Sequence, residues 1–150
     1  MPGRTVAYVA LCLFVVSWFL PVHEALVGAD GSAFGANDMA DFEAGTPPGW
    51  RACSKTWDML VNEWNDWRNP VLGVTCLTNA VMVLAGIALM SGARPRVLGF
   101  ALLGCGILNA GWVYLLLDDM DFVKDLEPGY YLWTLSFFLV GLAFLRGTDE

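Results

Sequence analysis

Four stretches of this chain carry no charged residue: Val6–Val22, Val71–Met90, Val97–Leu117 and Tyr130–Leu145. A helix rises 1.5 Å per residue, so about 20 apolar residues cover the roughly 30 Å of a bilayer's hydrocarbon. The second and third stretches, of 20 and 21 residues, meet that length. The first and fourth, of 17 and 16, fall at or just below its lower limit, so their ends are expected to borrow flanking residues. Backbone in lipid must satisfy its own donors and acceptors, and runs without alternating polarity do so as helices rather than barrel strands. Composition supports the same class: 57% of the residues are hydrophobic and 15% charged. That balance excludes a water-soluble globule and a disordered tail alike. The expected fold is an all-α integral membrane protein with four transmembrane helices.

Orientation follows from the basic residues. Arg4 at the amino end, Arg94 and Arg96 in the link 91–96, and Arg146 at the carboxyl end fall on one side of the four spans. By the positive-inside rule that side is cytoplasmic, which places both termini, including the tail 146–150, in the cytosol of a plasma membrane or bacterial inner membrane. The segments 23–70 and 118–129 then face outward with 4 basic and 13 acidic residues. Trp18, Trp112 and Trp133 fall near the outer ends of their spans, and Trp50, Trp57, Trp64 and Trp67 fall in the outer loop, a one-sided aromatic belt. An alternative reading makes the first span a signal peptide with a small-residue site near residues 27–29; the site is poor, which favours a retained helix.

Within the outer loop, residues 24–46 are rich in Gly, Ala and Asp and have no usable period. Residues 47–68 differ. Thr46 before Pro47 and Pro48 predicts a capped helix start, and Asn69 with Pro70 a stop. Between them Trp50, Cys53, Trp57, Leu60, Val61, Trp64 and Trp67 recur at spacings of three and four, with charged and polar side chains opposite. This predicts an amphipathic extracytoplasmic helix, too polar to cross the bilayer, lying on the outer leaflet or across the span ends. The packed core of a small cap is the competing account. Either way Trp50, Trp57, Leu60, Val61, Trp64 and Trp67 form a candidate surface for a partner or lipid.

Inside the spans, Gly99, Gly104, Gly106, Ala110 and Gly111 make the third helix the expected centre of packing. Asn79 and Asn109 are the only amides in the spans, and antiparallel helices put them at equal depth, where they are expected to meet as structural glue. A polar path for an ion or small ligand, supported by Thr75 and Thr78, is the other reading of that pair.

Catalytic chemistry finds few groups. The single histidine, His23, excludes a bis-histidine haem site and reads as an interfacial side chain. Cys12, Cys76 and Cys105 lie in spans and Cys53 in the loop; spacing suggests no pair, and Cys53 reads as a packed thiol, with an intermolecular disulfide as the minor alternative. No span carries a carboxylate of the kind small multidrug exporters need, and Asp118, Asp119 and Asp121 read as a solvated acidic rim. No catalytic residue, metal ligand or cofactor is expected. Fifteen acids against eight bases exclude a nucleic-acid partner.

The plan of a long first outer loop, a short basic inner link and a short second outer loop, with Pro48-Gly49-Trp50 and Cys53, resembles the tetraspan layout of claudin-type proteins. It departs from them in lacking a second loop cysteine and in a helical rather than strand-like loop, so no junctional role is carried over. Gly49-Trp50, Asn69-Pro70 and Pro128-Gly129-Tyr130-Tyr131-Leu132-Trp133 also resemble small bacterial tetraspan membrane proteins across most of the chain. That resemblance implies four membrane helices and brings no activity. The expected function is association without catalysis, as an accessory subunit or self-assembling unit partnered by lipids and a membrane protein or a second copy. A small oligomeric transporter or channel with a path near Asn79 and Asn109 is the alternative.

Overall fold

A computed structural model describes residues 2–22, 48–62, 68–115 and 126–146, and among these the secondary structure is helical, with no strand beyond isolated bridge residues. The helices are α1 (Pro2–Ser17), α2 (Gly49–Asn62), α3 (Arg68–Met90), α4 (Arg96–Leu115) and α5 (Pro128–Arg146). Two of them are long and apolar enough to cross a membrane, Gly73–Met90 within α3 and Pro128–Arg146; Gly3–Ser17 and Arg96–Gly111 are apolar but shorter.

Prolines and one glycine set the boundaries. Pro2 opens α1 and Pro128 opens α5, where a missing N–H costs nothing. After Ser17 the chain tightens, Trp18 and Phe19 donating to the Val15 and Val16 carbonyls at 3.2 and 3.0 Å, and Pro21 follows. Helix α2 starts two residues later than Thr46 suggested: the Pro48 carbonyl accepts from Arg51 and Ala52, which makes Pro48 the capping position, while Thr46 and Pro47 lie outside the described residues. Asn69 and Pro70, expected as the stop of the loop helix, instead stand in the first turn of α3. The chemistry is the same at either place, because proline is as comfortable opening a helix as following one. At the far end of α3, Ala93 N–H reaches the Ala88 carbonyl (2.9 Å) and Gly92 N–H the Leu89 carbonyl (3.1 Å), with Gly92 at φ 80°. This pairing is a Schellman stop, and its left-handed residue is the one type that adopts that φ without strain.

Helices α1, α3, α4 and α5 share one core: Ala7, Ala10 and Phe14 from α1; Met82, Ala85 and Leu89 from α3; Leu102 from α4; Phe137, Val140, Ala143 and Phe144 from α5. The centre is α5, which packs extensively along both α1 and α4, and not α4, the helix expected there. The small residues of α4 explain the difference. Gly99 does permit close approach, but toward Gly141 of α5: a methyl group added at either would sit 3.1 Å from the other's carbonyl oxygen. Gly106 lies under the Phe138 ring, whereas Gly104 and Gly111 face open space. The small residues thus recruit α5 on one side only. Outward faces are strongly apolar as well, with Val9, Val16, Leu84, Ile87, Val97 and Phe100 all exposed.

The two ends of the bundle differ. At one end Arg4 reaches within 3.5 Å of the Gly92 carbonyl, and Gly3 lies beside Arg94, so the start of α1, the 91–95 link and the last turn of α5 come together. At the other, residues 18–22 are held by main-chain bonds from two directions. Gly49 and Trp50 donate to Leu20 and Trp18, both at 3.1 Å, and Pro21 bridges Pro48; Glu127 and Gly129 donate to Val22 and Pro21 at 3.1 and 2.9 Å.

Candidate functional site

The end of the bundle carrying that strap also carries most of the described tryptophans. Trp18 follows α1, Trp50 and Trp57 stand on α2, and Trp133 lies in the second turn of α5. Phe14, Trp18, Phe137, Trp133 and Tyr130 form a chain of ring contacts with centroids 5.6–6.2 Å apart. Such tilted and edge-on pairs add to plain burial.

Helix α2 packs on α3. Its Ala52, Cys53 and Thr56 are half-buried, while Trp50, Trp57 and Val61 are 47%, 50% and 63% exposed. The apolar stripe read from sequence is therefore divided: Cys53 faces the bundle, and the indoles flank it. Between them lies a cavity of about 340 Å³ lined by Trp18, Trp50, Cys53, Ser54, Trp57, Cys76 and Leu77. The Arg51 guanidinium stacks over the Trp50 ring at 5.3 Å, which steadies one wall. Of the other surface residues expected from sequence, Trp64, Trp67 and the Leu60 side chain lie outside the described residues.

Two thiols meet in this cavity. Cys76 Sγ, on α3, donates to the Cys53 carbonyl at 3.5 Å, and the Asn79 amide nitrogen lies 3.9 Å from Cys53 Sγ. The Cys53 thiol falls from an ordinary 9.0 to about 7. The neighbouring Cys76 side chain is the main cause; partial burial opposes it, and Asn79 adds to the lowering. All four cysteines are free thiols, and Cys12 and Cys105 stand on α1 and α4. Sequence spacing could not pair Cys53 with Cys76, since the contact depends on how α2 folds back on α3. A signal was present nonetheless: Cys76 and Asn79 are three apart on one helical face.

The two amides, Asn79 and Asn109, take different partners. Asn79 Oδ1 accepts from the Trp133 indole at 2.7 Å, so this side chain links α3 to α5 while its nitrogen faces Cys53 on α2. Asn109 is fully buried and pairs with Thr78, its Nδ2 3.1 Å and its Oδ1 3.2 Å from the Thr78 hydroxyl oxygen. Thr78 has one hydrogen to give, and the shortest contact, 2.5 Å to the Thr75 carbonyl, takes it; the hydroxyl oxygen then accepts from Asn109 Nδ2. Tyr130 donates to the Asn109 main-chain carbonyl at 2.7 Å. The expected amide-to-amide contact is replaced by two separate ties, because adjacent positions on a helix point about 100° apart. Thr78 faces α4, and Asn79 faces α5 and α2.

Comparisons with protein-family models, characterised proteins and solved structures return no match. The chemistry at hand is thus that of the site itself. Among the described residues no group of three His, Cys, Asp or Glu side chains could hold a metal ion. What the site offers is an open apolar cavity, two adjacent thiols, one amide donor, and a pair of half-exposed indoles.

Proposed function

We propose that this chain is a multi-pass membrane protein with four spans, α1, α3, α4 and α5, whose arginine-bearing end faces the cytosol and whose α2 lies at the opposite surface. It acts by association with a membrane protein partner, not by catalysis. The strongly apolar outward faces support insertion: a water-soluble bundle has no reason to turn Val9, Leu84, Ile87 and Phe100 outward together. The four arginines at one end support the orientation.

The observation that carries association is the arrangement of α2. Trp50, Trp57 and Val61 remain largely uncovered by the chain's own helices although they flank an apolar recess. A bilayer surface alone would be served by a flat row of indoles, whereas a recess between two rings suits a side chain inserted by another protein. The ties of Asn79 to Trp133 and of Asn109 to Thr78 support a role as glue between helices.

The test places a photo-crosslinking amino acid at Val61 in the native membrane. Adducts with a protein, either another species or a second copy, are expected. Adducts with lipid alone would overturn the proposal. Trp57→Ala should weaken co-purification of the captured partner about 30-fold, the effect of losing about 2 kcal/mol at an interface hot spot.

A further inference from the structure

We propose that Cys53 and Cys76 form a dithiol site which a small neutral disulfide oxidises to an intramolecular disulfide, covalently joining α2 to α3. The two thiols line the same recess, with the Cys76 sulfur 3.5 Å from the Cys53 carbonyl. The other two cysteines lie on α1 and α4, away from that recess. The recess supplies what thiol–disulfide exchange requires: an accessible attacking sulfur, a donor beside it, and a second thiol within reach to resolve the intermediate. Asn79 is the donor, 3.9 Å from Cys53 Sγ. The walls contributed by Trp18, Trp50, Trp57 and Leu77 select the reactant class. At about 340 Å³ the space is at the small end of ligand pockets, and its lining is apolar, so a compact uncharged disulfide fits where a charged one must shed water without a compensating partner.

The reaction balances in two exchanges. The Cys53 thiolate attacks one sulfur of R–S–S–R, forming a Cys53–S–S–R bond as the R–S–S–R bond breaks; the departing thiolate takes up the proton that Cys53 released. Cys76 then gives up its proton, and its sulfur attacks Cys53 Sγ, forming the Cys53–Cys76 bond and expelling the second R–S⁻, which is protonated in turn. Two protein thiols are oxidised by two electrons, and one disulfide is reduced to two R–SH. Cys53 is the attacking sulfur because the Asn79 amide stands beside it, where it favours the thiolate.

The experiment treats the full-length protein in lipid nanodiscs with 2-hydroxyethyl disulfide and reads intact mass and a non-reducing peptide map. Loss of two hydrogens, with a Cys53–Cys76 cross-linked peptide, is the expected result. Cys76→Ala should instead stop at a mixed disulfide on Cys53 that persists. A wild-type protein that ends as a stable mixed disulfide, or in which Cys12 or Cys105 reacts first, overturns the proposal. The wild-type map decides this even if the variant fails to fold. Glutathione disulfide serves as the charged comparison: equal rates for the two reagents would overturn the assigned reactant class. None of these readouts depends on what docks on α2, so the two proposals fail separately.

Discussion

At Gly129 an added methyl group would run into the Pro21 carbonyl oxygen, and at Gly49 it would stand 2.9 Å from that of Ser17. Both contacts are with main chain, which cannot swing aside as a flexible side chain can. Gly129→Ala is therefore expected to destabilise the protein by about 1–3 kcal/mol, the range for forced overpacking, measured as a shift in the unfolding midpoint in detergent titration. Gly104→Ala, made where nothing lies within 4 Å, should leave the midpoint nearly unmoved and serves as the control. The motifs Gly49-Trp50 and Pro128-Gly129 stood out in the sequence only as a resemblance. Their common reason is that both glycines press on residues 17–21, a convergence between positions 80 apart that no local pattern encodes. Cys53 was legible as a residue on the apolar face of α2, but its neighbour on α3 was not, for the same reason.

Between elements, polar side chains tie α3 to its neighbours. Thr78 and Asn109 join α3 to α4, and Asn79 with Trp133 joins α3 to α5. A double-mutant cycle of Thr78→Val and Asn109→Leu should give a coupling of about 0.6 kcal/mol, with a ceiling near 1.7, read from unfolding midpoints of the four proteins. A coupling of zero would mean that the pair contributes nothing to α3–α4 contact. That the two amides fall at one level of the bundle was legible by counting along the helices, and so was the amphipathic face of α2 from its three-and-four spacing. Their partners were not. Depth depends on counting residues along one helix, whereas partner choice depends on rotation about the axis, and a step of one residue turns a side chain by about 100°. The centrality of α5 was hidden similarly: Gly99 marks a close approach, but only its placement opposite Gly141 says which helix approaches.

For the molecule as a whole, charge and aromatic content are segregated lengthwise, with Arg4, Arg94, Arg96 and Arg146 toward one end and Trp18, Trp50, Trp57 and Trp133 toward the other. This polarity was the most legible feature of all, since it needs only the order of segments along the chain. It yields a topology prediction: in a background without native cysteines, Ser54→Cys should be labelled by a membrane-impermeant maleimide applied to intact cells, and Ala93→Cys only after the membrane is opened. Both positions are exposed in the fold, so accessibility reports sidedness rather than burial. The reverse pattern would invert the proposed orientation. The main-chain fastening of residues 18–22 to 48–50 has a further consequence for how such a chain varies. It works like a buckle: the excursion between its two halves leaves from and returns to the same spot, and main-chain bonds form the clasp. Lengthening that excursion twofold adds only about 0.6 kcal/mol of closure entropy, so kindred sequences can differ widely in the span between the two halves while keeping the same bundle.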